Sequence, residues 1–529
     1  MLETHRSVLL SAGSLIGVSF TTDISRRDFI QGIGALGLAA PFLATPLGGR
    51  LGGLYSGGPP SPGPGPKPLP QRSPGSAQNS VIVVGAGLAG LAAAWELDEA
   101  GHEVTVLEAK PRPGGRVRTL RDPFADDLYA EAGAMLFSET YTQANRYIDE
   151  LGLERVDGGQ PELPVLFHMR GERFAVGPDE QVDWPYDLDE EEQELGPASL
   201  VQRYFLETLP PEVAELEAWN EPPLRELDEL SLEEYLREQG ASQGVLDLIA
   251  DTTFLGRRID RTSTLTSAQL GGLAGAPFAL KGGNDRLPLG MAQRLGQNVR
   301  YGVAATDIRD TGFGVEVRAR RGPRTETYEA DRAICAVPLG VLKELEVNPQ
   351  MPQGKEQAVS EMPYVEATRT FMQVKRSFWR DEGVAGRVYT DLPVGRVDRH
   401  PWGDPAGPNE RSILESYVFD EAAAEYAALP EDERLEHVLE HMEELHPGFQ
   451  EHFEAAVVKA WGEDPYARGH ASWPRPGDVT SHLEALQEPH GHIHFAGEHT
   501  TVWSNSMEGA LRSGVRAAWE IDEAAAAGG

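Results

Sequence analysis

Residues 81–90 read VIVVGAGLAG, a run of β-branched residues followed by glycines at G-x-G-x-x-G spacing. A continuous apolar run of this kind predicts a strand that is buried on both faces of a parallel sheet. Gly85 allows a tight turn, Gly87 lets the backbone approach a phosphate, and Gly90 lets the following helix pack on the strand. The stretch therefore predicts the phosphate-binding turn of a dinucleotide-binding fold.

The residues after this turn complete a strand–helix–strand unit. LAGLAAAWELDEAG predicts a helix that ends at Gly101, and EVTVLEA predicts a strand that ends in Glu108. An acid about 20 residues beyond the glycines binds the ribose hydroxyls of an adenosine and repels the phosphate of NADP. A second glycine turn with arginines, KPRPGGRVRTL, follows at once and offers a bidentate donor to a pyrophosphate. NAD-binding domains do not need this second turn, so we expect FAD.

KPRPGGRVRTL resembles the R-x-G-G-R-x-x-T motif of the flavin amine oxidase family, through Arg112, Gly115, Arg116 and Thr119. Three further segments are similar to that family in the same order: KGGNDRLPLGMAQRLGQNVRYGVAATDI, ADRAICAVPLGVL and IHFAGEHTTVWSNSMEGALRSGVRAA. The resemblance spans residues 80–525. It implies an FAD-dependent oxidoreductase similar to monoamine oxidases and L-amino acid oxidases.

The resemblance also implies which residues bind the cofactor. Glu498 would accept a hydrogen bond from the ribityl chain, the backbone N–H of Met507 would meet the flavin C2 carbonyl at a helix N-terminus, and the backbone of Ala305 would contact adenine. The complete expected set is Gly85, Gly87, Leu88, Ala89, Gly90, Glu108, Ala109, Arg112, Gly115, Arg116, Gly133, Ala134, Met135, Ala305, Glu498, Ser506 and Met507.

We predict an α/β fold with three parts: an FAD-binding Rossmann-like domain of the GR2 type, a substrate domain with a mixed sheet, and a helical insertion. The expected FAD-binding domain is discontinuous and comprises residues 80–135, 280–360 and 455–525. The expected substrate domain comprises residues 136–185 and 361–454, and the helical insertion comprises residues 186–275. In the insertion, Ser231 and Glu234 of SLEEYLREQG predict a capping box. EDERLEHVLEHMEELHPG predicts an amphipathic helix, and because it lacks an H-E-x-x-H motif we expect no metal site.

Residues 1–79 are expected to lie outside the nucleotide fold. SRRDFI, with Arg26 and Arg27, precedes the short apolar run GIGALGLAAPFLA and resembles a twin-arginine export signal in residues 1–45. A chance arginine pair before a membrane anchor is the alternative. Residues 46–79 are rich in proline and glycine and predict a disordered or PPII-like spacer. We expect the twin-arginine translocase as a partner and a periplasmic or extracellular location, with tethering by an uncleaved leader left open.

The charge of the chain excludes a nucleic-acid partner. With 47 basic and 83 acidic residues the formal net charge is −36, so a phosphate backbone would be repelled. Such an acidic, lysine-poor surface is typical of proteins from high-salt habitats. An acidic enzyme without any adaptation to salt is an equally weighted alternative. A homodimer also stays open.

At several positions that are expected to contact an amine substrate, the chain departs from the family's pattern. In TRTFMQVKRSFW, Arg369 stands where family members carry a lysine that bridges through water to flavin N5. Arginine keeps the charge but cannot act as a compact point donor, so an oxidase and a dehydrogenase with another electron acceptor both stay open. The alternative for Arg369 is an ordinary strand arginine paired with an acid.

The aromatic pair that flanks the amine in monoamine oxidases is also missing. Ala471 and Ser506 stand at its two positions. Trp473, Trp503 and Tyr417 are neighbouring aromatic residues that either replace the pair or belong to the core. A wider site for a bulkier substrate is expected.

Leu136 follows GAM, where L-amino acid oxidases place an arginine that binds the substrate carboxylate. Tyr417 matches the tyrosine that assists this arginine, so half of the carboxylate site is present. Because the arginine itself is missing, an amine is favoured over an α-amino acid, unless Arg369 binds the carboxylate instead. His470 stands where monoamine oxidases attach flavin through cysteine. Two interpretations stay open: His470 has a functional role, or it is a loop residue that lies near the flavin without contacting it. The only cysteine, Cys335, lies elsewhere, so we expect non-covalent FAD. The residues expected to be catalytic or to contact substrate are Arg369, Tyr417, Trp503, Ser506, Ala471 and Leu136.

The expected reaction is oxidation of the CH–NH bond of an amine or L-amino acid by hydride transfer to flavin N5. The imine product hydrolyses in water, and H₂O₂ forms if O₂ is the acceptor. Two alternatives stay open: an FAD-dependent dehydrogenase or desaturase that uses another acceptor, and a flavin-loaded protein without catalytic activity.

Overall fold

The computed structural model describes residues 65–70, 78–157, 163–177, 180–252, 258–271, 276–400 and 409–528. The expected export signal and most of the expected spacer lie outside these ranges. None of the described helices combines the length and the apolar character that crossing a membrane requires.

A five-stranded parallel sheet forms the centre of the nucleotide-binding part. In spatial order its strands are Val299–Tyr301, Glu103–Glu108, Ser80–Val84, Arg332–Cys335 and Ile493–Phe495. The apolar run that opens the fold supplies the central strand, and its side chains are buried on both faces. The phosphate turn follows the carboxyl end of this strand, the edge at which open parallel sheets bind their ligands.

Helices and a second sheet surround the parallel sheet. Helix Leu88–Ala100 packs on the C-terminal helix Met507–Gly528. The second sheet has the order Arg324–Ala330, Val315–Arg321, Ala304–Asp310, Glu346–Asn348. The remaining helices of this part are Arg286–Leu295, Leu339–Leu342, Gln353–Glu361 and Asp478–Gln487.

A seven-stranded mixed sheet forms the other large layer. Its order is Phe453–Ala460, Ala367–Val374, Ser412–Phe419, Arg396–His400, Val388–Thr390, Val165–Met169, Glu172–Val176. The pair Val388–Thr390 and Val165–Met169 is parallel and the other pairs are antiparallel. Because Phe453–Ala460 belongs to this sheet, the expected domain boundary at residue 455 falls inside a strand and needs correction. Helices Asp420–Ala428, Glu431–Leu445 and Phe449–His452 accompany the sheet.

Short strands connect these layers and also lie beside the site. They pair Thr119–Leu120 with Ala130–Glu131, Tyr364–Val365 with Ala471–Ser472, and Pro277–Leu280 with both Phe137–Ser138 and Arg155–Asp157. Helix Thr142–Glu150 follows the Phe137–Ser138 strand.

Residues 190–271 contain helices but no strand among their described residues. The helices are Glu190–Val201, Leu224–Glu229, Leu232–Glu238, Gln243–Thr252 and Thr264–Gly271, with a π-helical turn at Gln202–Leu206 and a 3₁₀ segment at Pro211–Ala218. The predicted capping box is confirmed, because the Glu234 N–H donates to Ser231 Oγ (3.1 Å) and the Ser231 N–H donates to Glu234 Oε2 (2.9 Å).

Residues 65–70 belong to the expected disordered or PPII-like spacer. They lie against the nucleotide-binding part, and the side chain of Leu69 is buried in its core. For these residues disorder is excluded, because apolar burial offsets the entropy of ordering the chain.

Candidate active site

A cleft of about 1640 Å³, its open mouth included, lies between the parallel sheet and the seven-stranded sheet. Most of the residues predicted for the site line this cleft, although they come from distant parts of the chain. They are Gly85, Gly87, Leu88, Ala89, Glu108, Ala109, Gly115, Arg116, Gly133, Ala134, Met135, Leu136, Ala305, Tyr417, Ala471, Glu498, Ser506 and Met507. Gly90, Arg112, Arg369 and Trp503 are not among the lining residues.

The phosphate turn has the backbone shape that a pyrophosphate needs. Gly85 has a φ of +105°, in the region that favours glycine. A Cβ added at Gly87 would meet no atom within 4 Å, so its backbone faces the open cleft. A Cβ at Gly90 would lie 2.0 Å from the Gly85 carbonyl oxygen, so Gly90 acts beneath the turn by letting the helix pack on the strand. The turn therefore fits a dinucleotide.

Glu108 lines the cleft at the end of its strand, as predicted. Its carboxylate accepts hydrogen bonds from the backbone N–H groups of Ala86 (2.7 Å) and Lys110 (2.8 Å). Burial raises the pKa of Glu108, and these two backbone donors oppose the rise. The carboxylate is thus fixed between the first and the second glycine turn.

The two arginines of the second glycine turn, Arg112 and Arg116, make different contacts. The Arg112 guanidinium donates to the carbonyl oxygens of Pro113 (3.0 Å) and Gly115 (3.1 Å), so it braces the loop. The expectation that Arg112 contacts the cofactor stays a prediction. Arg116 does line the cleft, and its Nη1 donates to Glu498 Oε1 (2.9 Å) and to the His470 carbonyl oxygen (2.8 Å).

Glu498 joins three segments of the cleft wall. Besides Arg116, it accepts hydrogen bonds from the Asn505 N–H (2.8 Å) and from the Ser472 N–H (3.3 Å) and hydroxyl. Burial alone would raise the pKa of Glu498, but Arg116 and these donors lower it below its usual value. The ionised carboxylate is thus a fixed hydrogen-bond acceptor at the cleft surface.

The N-terminus of the last helix points into the cleft through Ser506 and Met507. The Ser506 hydroxyl accepts the Gly509 N–H (2.9 Å) and donates to the Trp503 carbonyl oxygen (2.7 Å), which is the pattern of a helix N-cap. The first N–H groups of a helix have no intrahelical acceptor, and the helix dipole makes this end positive. Such an end stabilises negative charge on a bound ring system, so these residues fit a flavin.

The side chains that line the cleft near Tyr417 carry no charge. The Tyr417 hydroxyl and His470 Nε2 form a hydrogen bond (3.1 Å), and both side chains line the cleft beside Leu136 and Ala471. Burial, with help from the charges of Arg369 and Arg116, lowers the pKa of His470 to about 3. His470 is therefore uncharged at neutral pH.

Cations of the cleft are already paired. Among the described lining residues the cationic side chains are Lys110 and Arg116. Lys110 Nζ donates to Asp464 Oδ2 (2.8 Å), and Arg116 is paired with Glu498. The described part of the cleft therefore offers no unpaired cation to a substrate.

Arg369 lies behind the cleft wall. Its side chain is 0 % exposed and is paired with Glu415, which also contacts His400. The guanidinium donates to the Gly133 carbonyl oxygen (2.7 Å) and contacts Met135 Sδ (2.7 Å). The predicted position of Arg369 at the reacting face is wrong, and the alternative of a strand arginine paired with an acid is confirmed.

Trp503 is also buried outside the cleft, with 2 % of its surface exposed. Its Nε1–H donates to Glu217 (3.2 Å), and the Arg512 guanidinium lies 4.6 Å from the ring centroid. Of the two alternatives for Trp503, the structure supports a core residue and not a replacement for the missing aromatic residue at the substrate. Of the lining residues that sequence reasoning missed, only Lys110 carried a local signal, since it lies two residues after Glu108. The missed residues include Lys110, Tyr141, Leu270 and Asn505.

The chain matches a family model described as flavin containing amine oxidoreductase over residues 88–522. It is 28% identical to the putative L-amino-acid oxidase YobN of Bacillus subtilis (strain 168), covering 84% of this chain and 94% of that protein. It is 28% identical to an L-amino-acid oxidase of Bothrops pauloensis, covering 84% and 89%.

Two solved structures show the same fold. Wild-type putrescine oxidase bound to putrescine has a TM-score of 0.69 at 24% identity, covering 84% of this chain and 99% of that chain. Cyclohexylamine oxidase from Brevibacterium oxydans IH-35A has a TM-score of 0.67 at 23% identity, covering 85% and 99%. The predicted α/β fold is confirmed.

Proposed function

Because the chain belongs to the family of flavin-containing amine oxidoreductases, we propose that its substrate is an amine without an α-carboxylate. Family membership makes the protein an FAD-dependent amine oxidoreductase, and its FAD is bound without a covalent bond. The proposal concerns the substrate class, the reaction at the flavin and the location of the enzyme.

The neutral wall around Leu136 is the observation that carries the choice of an amine. A substrate carboxylate in a water-excluded site needs a charged hydrogen-bond donor, typically arginine. Leu136 occupies the expected place of that donor, and the neighbouring Tyr417–His470 pair is uncharged. The neutral form of an amine with an apolar substituent fits this wall.

When bound, FAD supplies the acceptor for a hydride from the substrate's α-carbon, and the resulting imine hydrolyses in water. The chain's own residues position the substrate and exclude water from it. Leu136 and Ala471 give apolar contact, and Tyr417 holds its hydroxyl toward His470. The helix end at Met507 stabilises negative charge at the cofactor. Removing water from the amine keeps it uncharged, the form that can lose a hydride.

L-amino acids are the second candidate substrates. This alternative is favoured by the sequence relatives, several of which are named L-amino-acid oxidases. Tyr417, at the matched tyrosine position, also lines the cleft. The electron acceptor is a separate question, with O₂ as the first candidate and another acceptor as the second.

Anaerobic reduction of the bound flavin by candidate substrates tests the proposal. Primary amines and polyamines should bleach the flavin absorbance faster than the L-amino acids that carry the same side chains. Bleaching by L-amino acids alone contradicts the proposed substrate class. Peroxide on admission of air identifies an oxidase, whereas slow reoxidation without peroxide identifies a dehydrogenase.

Replacing Leu136 with arginine should shift this preference toward L-amino acids. The new guanidinium would face the cleft beside Tyr417 and bind a carboxylate through two parallel hydrogen bonds. A charge-assisted hydrogen bond contributes about 1.5–3 kcal/mol, or about tenfold to 100-fold in the ratio of kcat/KM values for an L-amino acid and its decarboxylated amine. Leu136→Met is the control, and an equal ratio in both variants contradicts the assigned place of Leu136.

We also propose export by the twin-arginine translocase. The proposal rests on SRRDFI and the apolar run after it. Replacing Arg26 and Arg27 with lysine should leave the protein in the cytoplasmic fraction of cells that export the wild-type chain. Equal fractionation of the two proteins contradicts this location.

A further inference from the structure

Residues 65–70, GPKPLP, form a strap on the surface of the nucleotide-binding part. Side chains of the folded part bind three of its backbone polar groups. Glu96 Oε2 accepts the Leu69 N–H (2.9 Å), Gln143 Nε2 donates to the Pro66 carbonyl oxygen (2.8 Å), and Trp519 Nε1 donates to the Lys67 carbonyl oxygen (2.6 Å). The strap is therefore recognised through its main chain.

Two side-chain features fix the register of the strap. Leu69 is 8 % exposed and packs into the large core of the nucleotide-binding part. A Cβ at Gly65 would lie 2.7 Å from Gln143 Nε2 and from Thr142 Oγ1, so any larger residue would displace these side chains from the strap. Proline-rich segments that lie in grooves with aromatic donors are recognised in the same way in trans, because their extended shape costs little entropy.

The groove is built to receive these groups. Glu96 is buried, and its second oxygen accepts hydrogen bonds from Arg146 (2.6 Å) and from the Tyr147 hydroxyl (2.7 Å). The Gln143 side chain also accepts from Arg146 Nη2 (3.0 Å). The acceptor for the Leu69 N–H is thus held in place from both sides.

A chain of contacts links this groove to the cofactor cleft. Glu508 accepts the N–H groups of Gln143 (3.0 Å) and Ala144 (3.0 Å) and the Thr142 hydroxyl (2.9 Å), so it caps helix Thr142–Glu150. Arg512 donates both to Glu508 (2.7 Å) and to Thr142 Oγ1 (3.0 Å). Glu508 directly follows Met507, which lines the cleft. The strap therefore contacts the first turn of helix Thr142–Glu150, and that turn is bound by Glu508 and Arg512 of the helix whose first residue lines the cleft.

We infer that docking of the strap and binding of FAD are thermodynamically linked through the Met507–Arg512 turn. A flavin that orders this turn also orders Thr142 and Gln143, to which the strap binds. By reciprocity, the docked strap increases the affinity for the flavin by the same factor. The occupant of the groove is the chain's own residues 65–70.

Hydrogen exchange of the full-length protein, with and without FAD, measures the docking directly. Pro66, Pro68 and Pro70 carry no N–H, so the exchangeable amides of this stretch are those of Gly65, Lys67 and Leu69. The Leu69 amide should exchange at least about fivefold more slowly in the holoenzyme than in the flavin-free protein, in keeping with usual coupling strengths. Exchange at the rate of an unstructured peptide in the holoenzyme overturns the docking, and equal protection in both forms overturns the linkage.

Leu69→Ala and Trp519→Phe test the reverse direction. Both should raise the FAD dissociation constant, measured by fluorescence titration, by about fivefold, and both should abolish or weaken protection of the residue 69 amide. Leu289→Ala, at an exposed leucine, is the matched control and should change neither quantity. An unchanged dissociation constant in Leu69→Ala despite lost protection overturns the linkage. Protection that depends on protein concentration overturns the intramolecular assignment in favour of a second copy.

Discussion

Replacing Arg369 with methionine should lower the free energy of unfolding by about 3–5 kcal/mol, the usual cost of breaking a buried ion pair. Arg369 and Glu415 are both fully buried, so the remaining carboxylate would keep its contact with His400 but lose the guanidinium. The Gly133 carbonyl oxygen would lose its donor as well. Urea unfolding of the holoenzyme measures the loss. Arg369→Lys should lose less, because an ammonium keeps the charge but not the fork of donors.

The pH dependence gives an independent check on this pair. Burial opposes ionisation of Glu415, but Arg369 and His400 lower its pKa to about 2 in the folded protein. Since the unfolded value is about 4.3, this stabilisation is present above the unfolded pKa and is lost as the pH falls toward 2. In Arg369→Met the folded-state pKa of Glu415 should rise, because one of the two cations that lower it is gone. The stability lost between neutral pH and pH 2 should therefore be smaller than in the wild type, since the folded and unfolded pKa values of Glu415 lie closer together.

Controls separate the ion pair from general disruption. Arg237→Met removes an exposed pair with Glu233 and should cost less than about 1 kcal/mol. Arg369→Met combined with Glu415→Leu should recover part of the loss, because no uncompensated charge stays buried. Additive losses in the double variant would contradict the pairing that the structure shows.

The local parts of the fold were predictable from the sequence. The burial of VIVV follows from its composition, and the spacing of Gly85, Gly87 and Gly90 dictates a turn and a close helix contact. The capping box at Ser231 depends on residues within one helical turn. Each of these features depends on neighbours in sequence, so pattern and backbone sterics suffice to find them.

Side-chain direction over long range was not predictable in the same way. Arg369 and Trp503 were assigned by their position in a motif, but a strand or loop residue faces the cleft only if the pairing of distant segments turns it there. Arg369 lies opposite Tyr417 and Lys459 on neighbouring strands. The Lys110–Asp464 and Tyr417–His470 contacts likewise join residues that are far apart in sequence. No local signal announces such pairs.

Replacing Gly133 with alanine should lower the affinity for FAD by about tenfold to 100-fold. An added Cβ would lie 1.7 Å from the Arg116 carbonyl oxygen and 3.1 Å from the Trp461 ring, so the backbone must move. Overpacking of this kind costs about 1–3 kcal/mol. Because Arg116 and Gly133 both line the cleft, the movement changes the cofactor wall itself. Fluorescence titration with FAD measures the change.

Gly354→Ala is the matched control for this substitution. A Cβ at Gly354 would meet no atom within 4 Å, and the residue lies in helix Gln353–Glu361, where alanine is favoured over glycine. This variant should bind FAD like the wild type. If Gly133→Ala also binds FAD normally, the cofactor does not depend on the close approach of residues 133 and 116. If it loses FAD while its unfolding midpoint without flavin is unchanged, the defect lies in the cleft wall and not in the stability of the fold.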